Sequence, residues 1–141
     1  MSQSAAPTIP QPAEAAAMDI ALRWLQACVE RDADFIDANS VDNPAPAFSS
    51  IGTAMAPFSL EDFSSHLRDL KKVGWGGLKL TGYQLGTAAW FYGMEDGLLP
   101  WGEALTIRIS LTMVNIGGAW KVCQSHVSES VERSGIELEQ A

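Results

Sequence analysis

The sequence predicts an α+β domain with helices packed on one face of a bent antiparallel sheet. Three observations predict it. Helical periodicity is confined to the first half of the chain, between Glu14 and Gly74. Period-two alternation takes over after Gly77 and continues to Ser128. Within the stretch Glu103 to Ser128, two long strands are joined by Asn115-Ile116-Gly117-Gly118, which supplies the positive-φ positions a hairpin needs.

A length of 141 residues fits one domain with a single core. Residues 1–13, with three prolines, read as an N-terminal tail, residues 14–130 as the domain, and residues 131–141 as an acidic C-terminal tail. With 9 Lys and Arg against 17 Asp and Glu, the net charge of -8 argues against nucleic acid, whose phosphates require a basic footprint. Cys28 and Cys123 are far apart and lie in apolar patterns, so they predict neither a disulfide framework nor a metal site. No apolar run is long enough for a signal-peptide core or a membrane span. The expectation is a cytoplasmic protein without cofactor, metal or membrane partner.

From Glu14 onward, Asp19, Arg23, Gln26 and Glu30 form one polar stripe on an otherwise apolar helix, which implies enclosure by other elements. Asp32 can cap a short helix, Ala33 to Ala38, with Asn39 as its stop. Pro44 and Pro46 enforce a loop, and Phe48 to Gly52 reads as a short strand. The next helix is marked by Ser59 as N-cap, Glu61 and Asp62 in its first turn, Lys71 and Lys72 in its last, and Gly74 as C-terminal cap.

Strands then follow in succession. Leu78 and Leu80 are out of phase with Tyr83 and Leu85, which predicts a β-bulge at Gly82. Ala88 to Met94 is a strand with Trp90 and Tyr92 on one face and Phe91 on the other, and Asp96-Gly97 reads as a turn. In the last hairpin, Leu105, Ile107, Ile109, Leu111 and Met113 alternate with polar residues. Trp120, Val122, Gln124, His126 and Ser128 are expected on one face, with Arg108 and His126 as cross-strand neighbours.

This order of elements resembles the SnoaL-like branch of the nuclear transport factor two-like superfamily. Trp24 in a long first helix, the helix SLEDFSSHLRDLKKVG, Ala89-Trp90-Phe91, the strand Thr106 to Val114, and the ending Gly118-Ala119-Trp120-Lys121-Val122 leading to His126-Val127-Ser128 carry the resemblance. It implies a cone: a curved antiparallel sheet packed on about three helices, with a mostly apolar cavity between them. Members commonly dimerise through the outer face of the sheet. The cyclases and ketosteroid isomerases of this superfamily rely on a cavity carboxylate, usually an aspartate, and no aspartate follows Asp96 here.

His126 is the strongest candidate acid or base, since an imidazole titrates near neutral pH. A structural role, hydrogen-bonded to backbone or to Ser128, is its alternative. Arg108 can bind the carboxylate or enolate of a ligand, pair with Glu103 or an acid of the first helices, or stand exposed on the sheet's outer face. Tyr92 can stabilise an oxyanion. Trp24, Phe48, Trp75 and Trp90 are candidates for an aromatic wall around a flat apolar ligand. Asp34, Asp37 and Asp42, near the expected cavity mouth, can supply the missing carboxylate or simply cap and turn.

Two functions are therefore expected. In the first, a small apolar or carboxylate-bearing molecule binds in the cavity, where an isomerase- or cyclase-like enzyme without a cofactor acts by proton transfer. In the second, the chain is a non-catalytic homodimerisation module, using the outer sheet face and the apolar stretch Leu98 to Trp101.

Overall fold

The structure, a computed structural model, describes residues 9–42, 48–51, 58–69, 74–75, 78–98 and 104–129. At 48–51, 74–75, 95–98, 104–105 and 129 the description covers backbone and strand pairing alone.

Helix α1, Ala15–Glu30, buries Ala17, Ala21, Trp24, Leu25, Ala27 and Val29 and exposes the predicted polar stripe, on which Asp19 and Arg23 pair at 3.3 Å. It stops at Arg31, whose φ of 63° takes the left-handed conformation of a C-terminal cap while its Nη1 donates to the Cys28 carbonyl at 2.8 Å. Helix α2, Ala33–Ala38, begins as predicted at Asp32, whose side chain accepts from the Phe35 amide, and ends at Asn39. Helix α3, Leu60–Asp69, starts on the Ser59 hydroxyl, which accepts from the Asp62 amide. Its predicted lysines, 71 and 72, lie outside the described residues. Gly74 is not its cap: with Trp75 it forms a two-residue strand, β4 (Gly74–Trp75), paired with Gly97 and Leu98.

The sheet is built on β5 (Lys79–Leu85), β6 (Ala88–Leu98), β7 (Ala104–Ile116) and β8 (Ala119–Glu129), successive antiparallel neighbours. Strand β1 (Gln11–Pro12), within the stretch read as a tail, extends it beyond β5. Strand β2 (Phe48–Ile51) runs parallel to β8 and carries β3 (Phe58–Ser59) at the far edge. The order is β1-β5-β6-β7-β8-β2-β3, with β4 also on β6.

Three local expectations give way to long-range pairing. Asp96-Gly97 is not a turn, because β7 continues opposite it and pairs residues 95–98 with 104–107. Gly82 is not a bulge; the β5–β6 register is unbroken, with Leu80 facing the helices and Tyr83 and Leu85 facing away. Glycine is needed at 82 because a Cβ there would lie 2.2 Å from Cδ2 of Phe91, opposite it on β6. The irregularity sits instead in β8, where Thr112 pairs with Gln124 but Met113 pairs with Val122, leaving Cys123 as the extra residue. Trp120 and Val122 are therefore in the core, while Gln124, His126 and Ser128 belong to the opposite face. The predicted hairpin turn is present, with φ of 61° at Gly117 and 90° at Gly118.

The core lies between α1 and the sheet. Ala17, Ala21, Trp24 and Leu25 meet Ala89, Phe91, Ile109, Leu111, Met113, Trp120 and Val122 there, joined by Phe63 and Leu67 of α3.

Candidate functional site

Register converts the four long strands into a grid on the face turned away from the helices. Its rows are Lys79–Met94–Arg108–Ser128, Thr81–Tyr92–Ser110–His126, Tyr83–Trp90–Thr112–Gln124 and Leu85–Ala88–Val114–Lys121. Directly opposed side chains on such a face stand about 4.5–5.5 Å apart at Cβ. The β5–β6 half is apolar and aromatic, with Tyr92 56% and Met94 63% exposed. The β7–β8 half is polar; Thr112 and Gln124 hydrogen-bond across it at 3.2 Å.

The described charges on the two faces differ. Every carboxylate whose side chain is described lies between Glu14 and Asp69, on the helices and their connections, whereas Lys79, Arg108 and Lys121 stand on the outer sheet face. Among the described residues, the side chains of Arg108 and His126 have no hydrogen-bond or ion-pair partner.

Of the residues singled out from sequence, Arg108, His126, Tyr92 and Trp90 thus share one surface. Arg108 faces Ser128, and His126 faces Ser110, so the two are diagonal neighbours. Trp24 is elsewhere. It is buried on the helix side, stacked on Phe63 with ring centroids 5.8 Å apart, and its Nε1 donates to Ser40 Oγ at 3.0 Å. Phe48 is placed on β2 opposite Gln124, and Trp75 on β4 opposite Gly97, by backbone pairing alone. Residues 99–101 of the apolar stretch fall outside the described residues.

A separate cleft of about 390 Å³ opens beside α2 and α3, lined by Asp37, Asp42, Leu60, Glu61, Ser64 and Arg68. The buried Ser64 hydroxyl donates to Asp37, and Arg68 bridges Asp34 and Asp37 at 3.4 Å each. Sequence had marked the three aspartates but not Ser64 or Arg68. The i, i+4 spacing of the latter pair was the available signal, because it places both on one side of a helix.

Burial pushes the Cys28 thiol well above its ordinary range, against the nearby Arg31, so Cys28 is held as an unreactive thiol. Burial also lowers Arg31 and raises Cys123. Among the described residues, no group of three or more His, Cys, Asp or Glu is placed to hold a metal ion, and no helix is long and apolar enough to cross a membrane.

A mostly antiparallel sheet covered on one side by three helices is the architecture of the nuclear transport factor two-like, or cystatin-like, fold, and this chain has it. The sequence matches no protein-family model and no curated protein. Solved structures match at low identity. An NTF2-like protein of unknown function from Pseudomonas putida KT2440 is similar at a TM-score of 0.69 and 19% identity, over 86% of this chain and 92% of that one. A ketosteroid isomerase-like protein from Erwinia carotovora atroseptica is similar at 0.64 and 10% identity, over 84% and 96%. The S. rosetta CaMKII hub is similar at 0.65 and 14% identity, over 85% and 100%.

Proposed function

We propose that this chain is a self-association module whose copies pair through the β5–β6 half of the outer sheet face. One observation carries the reading. Of the seven exposed large apolar side chains among the described residues, six (Tyr83, Leu85, Trp90, Tyr92, Met94 and Ile116) are on this one face. A contiguous apolar patch of this kind marks an association surface, and a twofold pairing lets the same patch serve both copies. A second copy fits better than a charged partner because the β5–β6 half of this face carries Lys79 as its only described charge. The hub neighbour supports the reading by analogy of fold. Sedimentation of the purified chain is the test. At roughly 100 μM the chain sediments as a dimer and Trp90→Glu or Tyr92→Glu as a monomer, whereas a monomeric parent chain overturns the reading.

A second reading is favoured by the α2–α3 cleft, where Asp37 and Asp42 stand at an opening large enough for a small molecule. They can supply the carboxylate that a SnoaL-like isomerase or cyclase uses for proton transfer, whereas register sets His126 on the outer face, away from this cleft. Binding of an apolar ketone, read by thermal shift and abolished in Asp37→Asn or Asp42→Asn, would replace the first reading with this one. Failure of both variants to change binding would remove it.

A further inference from the structure

The polar half of the outer face presents a feature that self-association through β5–β6 does not use. Arg108 stands in the middle of β7, exposed and without a partner among the described residues. Around it the register sets Ser128 directly opposite on β8, Ser110 two residues along β7, and His126 on the diagonal. Each of these side chains offers a hydrogen-bond donor, and the Arg fork matches the two oxygens of a carboxylate. On the other flank of Arg108 are Met94, opposite on β6, and Tyr92, on the diagonal. Both are more than half exposed. A carboxylate set between Arg108 and Ser110 would therefore place an attached ring against the Tyr92 face.

Charge selects the same ligand. In a chain of net charge -8, most of the surface repels an organic anion, while the described charges nearest Arg108 on this face are Lys79 in its own row and Lys121. Among the described side chains the donors around Arg108 face no carboxylate and have an apolar shelf beside them, and register sets Asp96 in the next row, opposite Thr106.

We propose that Arg108, Ser110, His126 and Ser128 bind the carboxylate of a flat organic acid, whose apolar body lies on Tyr92 and Met94. The same carboxylate chemistry is available from a free acid or from a glutamate beside an aromatic residue in a peptide, and the two are distinguished by probe. Benzoate, its neutral isostere benzamide, inorganic phosphate and acetyl-Glu-Phe-amide are titrated into the full chain, with backbone amides followed by NMR. Trp90→Glu, monomeric under the association reading, is titrated in parallel, so that binding and pairing fail independently.

Benzoate is expected to shift the amides of 108, 110, 126 and 128 saturably, while benzamide leaves them in place. Arg108→Gln weakens benzoate about tenfold or more, Arg108→Lys less, because charge is kept and the fork is lost. Tyr92→Ala weakens it about threefold, and Arg23→Gln, on α1, leaves it unchanged. Tighter binding of the peptide than of benzoate assigns the site to a protein partner's carboxylate; the reverse assigns it to a free acid. The proposal is overturned if Arg108→Gln binds benzoate as the parent does, if benzamide binds equally, or if phosphate binds as well as benzoate with no dependence on Tyr92.

Discussion

Phe91 and Trp90 are adjacent on β6 and belong to different environments. Phe91 is 2% exposed, seated on Gly82 and enclosed by the helices, while Trp90 stands on the far face with over a third of its surface in water. The same division runs along the whole sheet. Toward α1 the grid positions are Ala89, Phe91, Ile109, Leu111 and Met113, all buried. Away from it are aromatics on one half and, on the other, hydrogen-bonding side chains with Arg108, which is unpaired among the described residues. Buried packing is concentrated on the inner face and the proposed recognition surfaces lie on the outer one, so the two can be altered separately.

The largest effects should fall on the inner face. Trp24→Ala removes the stack on Phe63 and the partner of Ser40, and a loss of about 3–5 kcal/mol is expected in denaturant unfolding. Gly82→Ala drives a methyl into the Phe91 ring and should cost about 1–3 kcal/mol, recovered in part by Phe91→Leu in the same chain. A recovered Gly82→Ala ties the defect to that contact rather than to strand propensity.

Deletion of Cys123 tests the boundary between the faces. Removing the extra residue leaves Val122 inward and Gln124 outward on a regularly alternating strand, so both faces survive. The deletion should cost only about 1 kcal/mol, whereas deleting Ser110 from β7, where no bulge absorbs it, should abolish folding. Comparable damage from both would show that the bulge is not what separates the faces.

That bulge also explains how far the sequence could be read. The order of elements, the caps at Asp32 and Ser59 and the Gly117-Gly118 turn were legible because each rests on neighbours within a few residues. The shared face of Arg108 and His126 was legible from parity, but which face it was depended on a one-residue slip that Cys123 does not announce. The parity change at Gly82 looked like a slip and is instead a strand whose two faces are both apolar. Asp96-Gly97 has the chemistry of a turn, and only the partner strand β7 overrides it. At the site, Arg108 and His126 pair by strand parity and Trp90 and Tyr92 share a face of β6, but Trp90 was expected beside Trp24, and only the pairing of β6 with β7 sets it beside Arg108 and His126. The cleft formed by α2 and α3 required the packing of two helices distant in sequence, which no local pattern encodes.

Cys28 gives a smaller, pH-dependent contrast within the inner layer. Its folded-state pKa is raised above the ordinary 9.0, so folding holds it as a thiol while the unfolded chain ionises. Its contribution is therefore constant below that value and declines as pH rises past it. Stability should fall above roughly pH 9 in the parent and less steeply in Cys28→Ala, with native Cys28 slow to react with thiol reagents at pH 8.

The smallest effect on the folded monomer should come from Trp90. Phe91→Ala is expected to cost about 3–5 kcal/mol at any protein concentration, because the cavity it leaves lies within the chain. Trp90→Ala leaves no cavity, and in dilute solution its cost should stay within about 0.5 kcal/mol. As concentration rises the two should diverge from this pattern in different ways. Phe91→Ala keeps a fixed deficit relative to the parent because its outer face still pairs, while the Trp90→Ala deficit grows, since that variant does not gain the stability that pairing supplies by mass action. A Trp90→Ala deficit that is large when dilute would place Trp90 in the core energetics despite its exposure. One that stays near zero at every concentration would leave the aromatic face without a second copy.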